Sequence, residues 1–159
     1  MPISVRPARS DDRQFIDRAG ADSAITSISP IRPARAGDAA AAFRRAAQFC
    51  AERRDGLTLI AERDGERAGF VMLLFELTDD VTLQQQAFIV YMAVEPAHRR
   101  VGIARALLGA AEEEARARGA SHLSLMVTEA NEAARTLYER AGFLDERVQM
   151  TKKLDKAAR

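Results

Sequence analysis

The sequence predicts an α/β (α+β) fold built on a mixed sheet, and three observations lead there. Apolar-patterned segments follow in the order β-α-α-β-β-β-α-β-α-β, too interleaved for an all-helical or all-strand chain. Asp64-Gly65 lies between two apolar runs, 57–63 and 67–77, which is a strong hairpin signal. From Phe88 onward the chain reads strand, turn, long helix, strand, short helix. A chain of 159 residues, 47% hydrophobic and 30% charged, can bury a core without staples, so residues 1–159 are expected to form one domain.

Taken in order, residues 3–8 read as a short strand, and Ser10-Asp11-Asp12 as a helix start in which Ser or Asp caps free amides. Residues 20–37, rich in Gly, Ser, Thr and Pro, read as a loop. Inside it Ile31-Arg32-Pro33-Ala34-Arg35 echoes Val5-Arg6-Pro7-Ala8-Arg9. Five residues are too few for a structural repeat, so the echo is read as coincidence. It leaves open whether the first strand is 3–8 or lies near 31–35. Asp38 is expected to cap a second helix that runs to Arg54.

The strand at 67–77 is almost continuously apolar, as a central strand would be. A polar stretch, 78–86, leads into a further strand from Phe88 to Val94. Val101 to Arg118 is the clearest helix, with Ala104, Leu107, Leu108, Ala111 and Ala115 on one face and Gly119 as its stop. Leu123, Leu125 and Val127 alternate as a strand. Asn131 caps a short helix that ends at Gly142, and 144–154 is expected to form a last strand.

Charge narrows the function. Twenty-four basic and 23 acidic residues leave +1, which argues against a strongly basic nucleic-acid binder. Cys50 is the single cysteine, and His98, His122 and Cys50 have no metal-site spacing, so no metal is expected. No stretch resembles a signal peptide or a membrane span, and the expected location is the cytoplasm, away from membranes.

The informative stretch is Val94-Glu95-Pro96-Ala97-His98-Arg99-Arg100-Val101-Gly102-Ile103-Ala104-Arg105. A strand ends, a turn follows, and a long helix begins at a glycine flanked by arginines. Unpaired N–H groups and the helix dipole make such a junction an anion site, and Gly102 lets a ligand approach the backbone. Arg99, Arg100 and Arg105 add full charges, so a diphosphate would suit it. Neither the triphosphate-loop pattern nor the dinucleotide fingerprint is present. A plain core helix with solvated arginines would look much the same.

Two motifs tip the balance. Arg99-x-x-Gly102-x-Ala104 resembles the Arg/Gln-x-x-Gly-x-Gly/Ala signature of the GNAT superfamily of N-acetyltransferases. Asn131-x-x-Ala134-x-x-Leu137-Tyr138-x-x-x-Gly142-Phe143 resembles that superfamily's second motif. The resemblance is close from about Phe88 to Phe143 and extends in element order over nearly the whole chain.

The resemblance implies a mostly antiparallel central sheet with helices on both faces, splayed between its fourth and fifth strands, Phe88–Val94 and Leu123–Thr128. Acetyl-CoA would lie in that gap as acyl donor. Backbone groups of Met92, Ala93 and Val94 would pair with the pantetheine arm. The diphosphate would be wrapped by the run Arg100, Val101, Gly102, Ile103, Ala104 and Arg105, with Arg99 beside it. Asn131 would hold the pantetheine and Tyr138 would sit near the sulfur.

The implied reaction is direct attack of an amine on the thioester. An amide near Met92 or Ala93 would steady the oxyanion, and Tyr138 would protonate the leaving thiolate. Tyr138 also reads as a core aromatic of an amphipathic helix. The base is a departure: where some relatives carry a glutamate this chain has Met126, and where others do it has Ile89. Glu95 is the chosen substitute, ahead of Glu76 and Glu129, and Tyr91 would face the acceptor. The amine acceptor stays unidentified, a homodimer is possible, and a non-catalytic acyl-CoA-binding sensor remains the alternative.

Overall fold

The structure, a computed structural model, describes residues 1–157. Five strands form one sheet in the order β1-β2-β3-β4-β5: β1 Ile3–Pro7, β2 Leu57–Arg63, β3 Glu66–Thr78, β4 Gln85–Val94 and β5 Leu123–Leu125. The first four pair antiparallel, while β4 and β5 run parallel. The β2–β3 connection is the predicted Asp64-Gly65 turn. Both residues have positive φ, +53° and +81°, as the twist of a tight hairpin demands.

Four helices cover the sheet: α1 Arg13–Ser23, α2 Ala36–Glu52, α3 Ile103–Ala117 and α4 Glu132–Arg140. Side-chain alternation along β3 decides which face each covers. Phe70, Met72 and Leu74 pack with Phe15, Ala19, Phe43 and Cys50 of α1 and α2. Val71, Leu73 and Phe75 pack with Ile103, Leu107, Leu108 and Ala111 of α3. This is the mixed, mostly antiparallel sheet with helices on both faces.

The first strand is Ile3–Pro7, as read at 3–8, and residues 31–35 form no strand. Several other expectations are corrected. The span read as a loop, 20–37, contains the last turn of α1, a short 3-10 turn at Ala24–Ser27 and the start of α2. Asp38 is not the N-cap of α2. The N-cap is Arg35, whose amide donates to Asp38 Oδ2 at 3.1 Å from the third helical position.

The same bond recurs at the other copy of the echo, where the Arg9 amide donates to Asp12 Oδ2 at 2.7 Å. The two copies share this bond and differ before it, Val5–Pro7 lying in β1 and residues 31–35 in no strand. In each copy a Pro-Ala-Arg approach delivers the chain to a helix start whose first amide is capped by an aspartate three residues on.

β5 ends at Leu125, three residues short of the predicted strand, and 144–154 form no strand at all. A strand needs a neighbour for its backbone groups, and β5, three residues long and paired only with β4, gains none on its outer side.

Asp12 holds the first layer together. It is the one fully buried charged residue among the described residues. Arg6 Nη1 and Nη2 reach its two oxygens at 2.7 and 3.0 Å, and Arg67 Nε donates to Oδ1 at 2.6 Å. Chiefly the Arg6 guanidinium, with Arg67 and the Arg9 amide, holds the Asp12 carboxyl well below the usual carboxylate range.

Candidate functional site

β4 is bent before it reaches the site. Met72 faces Tyr91 while Leu73 faces Ile89, so Val90 is an extra residue, a β-bulge. The bulge slips the alternation, and Val90 and Tyr91 both pack toward α1 and α2. β5 follows β4 only from Ala87 to Ile89. Beyond the bulge the two strands part, leaving the β5 side of Val90–Val94 without a ladder. The predicted gap between the fourth and fifth strands is present, and its apex is the bulge.

The direction of the backbone in that gap follows from one bond. The Glu95 amide donates to Ala68 O of β3 at 2.9 Å. Alternation then turns the Ala93 amide toward β3 and the amides and carbonyls of Met92 and Val94 toward the gap. Arg99 Nε donates to Val94 O at 3.3 Å, tying the end of β4 to the following loop.

A 3-10 turn, Pro96–His98, carries the chain to the start of α3. Gly102 is the N-cap of α3 with φ +97°, a conformation that residues with a Cβ resist. Arg100 is also left-handed, at +60°. Among the described residues the amides from Arg100 to Arg105 have no hydrogen-bond acceptor; the first amide of α3 that does is Ala106, which donates to Gly102 O at 3.0 Å. These free donors sit on the positive end of the helix dipole, with the side chains of Arg99, Arg100 and Arg105 nearby, and the arrangement fits a diphosphate.

Gly69 sets the depth of α3. A Cβ there would come within 2.7 Å of Ala93 O and 3.2 Å of Ile103, so its absence lets the first turn of α3 close on the sheet.

On the far side of the gap, Asn131 caps α4, its Oδ1 accepting from the Ala134 amide at 3.3 Å. Its side-chain nitrogen remains available to donate. Tyr138, on the α3 side, packs against Phe143 with ring centroids 5.7 Å apart. Burial, with a smaller contribution from Tyr91, pushes the Tyr138 phenol above its ordinary value, so the group keeps its proton at neutral pH.

Glu95 lies on the opposite face, its Oε1 2.7 Å from Arg18 Nη2 of α1. No bond joins it to Tyr138. Tyr91 is also held from α1: its hydroxyl lies 3.0 Å from Ser23 Oγ and donates to Gly20 O at 3.4 Å. Met126, standing where a glutamate is common, is 78% exposed. The structure thus brings Met92, Val94, Arg99 and the 100–105 amides around one gap, with Glu95 on the other face of β4. Sequence reading missed the bulge and the partner Arg18. The apolar run Phe88–Val90 hides the slipped period.

The chain matches the family model described as "Acetyltransferase (GNAT) family" over residues 26–143. It is 42% identical over 71 residues to an uncharacterized N-acetyltransferase, YycN, of Bacillus subtilis, covering 45% of this chain and 46% of that one. It is 39% identical over 90 residues to the streptothricin acetyltransferase of Streptomyces lavendulae, covering 56% of this chain and 45% of that one. The chain thus aligns with about half the length of these two curated relatives. A putative acetyltransferase from Pyrococcus furiosus has the same fold, with a TM-score of 0.79, 21% identity, and coverage of 96% of this chain and 100% of that one. With most of its length matched by that family model and its fold in agreement, the chain belongs to the acetyltransferase (GNAT) family.

Proposed function

We propose that this chain is an N-acetyltransferase that transfers the acetyl group of acetyl-CoA to a primary amine by direct attack. The observation that carries the reading is the run of acceptor-free amides from Arg100 to Arg105, placed beside a strand edge that has lost its neighbour. One end of that site suits a diphosphate and the other suits an amide-bearing arm that adds to β4 like a strand. Acetyl-CoA carries both groups and supplies the activated acyl carbon.

The residues then take separate tasks. The gap-facing amide of Met92 steadies charge on the acyl oxygen, while the Val94 backbone pairs with the arm. Asn131 donates its side-chain N–H to the arm while its oxygen keeps the helix cap. As the C–N bond forms and the C–S bond breaks, Tyr138 gives its phenolic proton to the departing thiolate. Its raised proton affinity keeps the phenol protonated until the thiolate departs. Glu95, oriented by Arg18, accepts through solvent the proton that the substrate ammonium gives up before its neutral amine attacks, and the second proton, shed by the nitrogen as the amide forms, returns to the Tyr138 phenolate.

The acceptor class extends the relatives' names no further than an amine. Streptothricin, named for one relative, belongs in the first panel tested. The experiment is release of CoA thiol from acetyl-CoA against amines, amino acids, antibiotics and peptides, run beside calorimetric acetyl-CoA binding. Amine-dependent release is the expected result. Binding without release on any amine would turn the reading to an acyl-CoA sensor, and absence of binding would overturn the site itself.

A further inference from the structure

The lysines of this chain are not spread over it. Its 24 basic residues include three lysines, Lys152, Lys153 and Lys156, all in the segment after α4. Everywhere else the cations are arginines. The difference is chemical. A guanidinium stays protonated and does not attack a thioester, whereas a lysine ε-amine is an acceptor for acetyl transfer. The side chains of residues 1–151 are thus inert as amine acceptors, and those of the tail are not. All three lysines are exposed, in a segment without helix or strand.

The tail starts beside the reacting groups. Phe143 packs on Tyr138 with ring centroids 5.7 Å apart, so the chain leaves α4 next to the phenol. Two ion pairs then tether it: Arg135 Nη2 reaches Asp145 Oδ2 at 3.1 Å, and Arg147 Nη2 reaches Asp79 Oδ2 at 2.7 Å. Asp79 lies level with Gln84, just before β4, because its amide donates to Gln84 O at 2.9 Å. From there along β4 to the Met92 amide is roughly 25 Å.

Reach beyond Arg147 separates the lysines. An extended chain spans at most about 17 Å from Arg147 to Lys152, about 20 Å to Lys153 and about 30 Å to Lys156. Only Lys156 covers the distance to the acyl carbon with chain to spare. A flexible tether of this length holds its amine at an effective concentration on the order of millimolar.

We propose that the protein acetylates its own tail, with the Lys156 ε-amine as acceptor within the same chain. The inference rests on the acetyl-transfer reading and names an acceptor for it. The Lys156 ammonium gives one proton through solvent to Glu95, and the neutral nitrogen attacks the acetyl carbon of acetyl-CoA. The C–N bond forms and the C–S bond breaks. Tyr138 protonates the leaving thiolate and recovers the second proton that the nitrogen sheds. The products are N-ε-acetyl-lysine and CoA thiol, and the chain loses one positive charge.

The test is incubation of the full chain with acetyl-CoA and no added amine, read by intact-mass and tandem mass spectrometry, with thermal melting as a check that each variant folds. A single acetyl group on Lys156 is expected, formed at least about tenfold faster than on Lys152 or Lys153, at a rate per chain that stays constant from about 1 to about 100 μM protein. Tyr138→Phe should slow it about 100-fold, and Lys156→Arg should abolish it. Equal labelling of the three lysines, or labelling that Tyr138→Phe leaves unchanged, means uncatalysed acetylation of exposed amines and would overturn the proposal. So would a rate per chain that rises with protein concentration. An unmodified tail in a protein that releases CoA thiol on free amines would overturn the self-acceptor and leave acetyl transfer standing. No release on any amine, with the tail unmodified, would overturn both.

Discussion

Arg6 and Asp12 are joined by a two-pronged ion pair, Nη1 to Oδ2 at 2.7 Å and Nη2 to Oδ1 at 3.0 Å, that locks β1 to the start of α1. Arg67 of β3 closes on the same carboxylate, so three elements converge on one fully buried charge. With every oxygen occupied the group is stable; losing its charge leaves Arg6 with Glu62 and Arg67 with Asp11. Asp12→Asn is therefore expected to cost about 2 kcal/mol, the weight of charge-assisted hydrogen bonds lost, and to lower the melting temperature by roughly 4–8 °C, read by calorimetry. A shift within 1–2 °C (order of magnitude) would mean that the pairing contributes little.

The same carboxylate sets an acid limit. Its pKa is depressed in the folded state relative to about 3.9 in the unfolded chain, so its stabilisation is complete above that value. It is lost as pH falls through the lower folded value. Urea denaturation from about pH 6 down to about pH 2 should show the gap between wild type and Asp12→Asn narrowing as pH drops. A gap that stays constant over this range would contradict the assignment.

Gly102→Ala tests the anion loop. A Cβ at φ +97° strains the N-cap by about 1–2 kcal/mol and disturbs the free amides that follow. Acetyl-CoA affinity should fall at least about tenfold by calorimetry, with the melting temperature changing by only a few degrees. Unchanged affinity would remove the loop from the binding site.

Tyr138→Phe separates binding from chemistry. The ring and its contact with Phe143 remain, and only the acidic proton is lost. kcat should drop about 100-fold while KM for acetyl-CoA changes less than about twofold. An equal loss in both would recast Tyr138 as a binding residue.

Local signals are what the sequence displays well. The Asp64-Gly65 hairpin, the Asn131 cap, the glycine stops at 119 and 142 and the α3 stripe each depend on neighbours a few residues away. So does the strand-turn-helix of the anion loop, whose glycine and arginines are contiguous. The Arg-Pro-Ala-Arg echo was equally visible, but its meaning needed the two aspartates that it positions.

By itself, then, the sequence determined the element order, the helix starts and stops and the family motifs, because each is encoded in short-range chemistry and spacing. Only the tertiary structure decided that Asp12 clamps three elements and that Val90 bulges where β4 and β5 part. The third such decision was that 144–154, patterned as a strand, finds no partner in its own sheet. Those outcomes depend on which distant residues meet. A carboxylate becomes a clamp only when guanidinium groups from elsewhere reach it, and an alternating segment becomes a strand only beside an edge that accepts its hydrogen bonds.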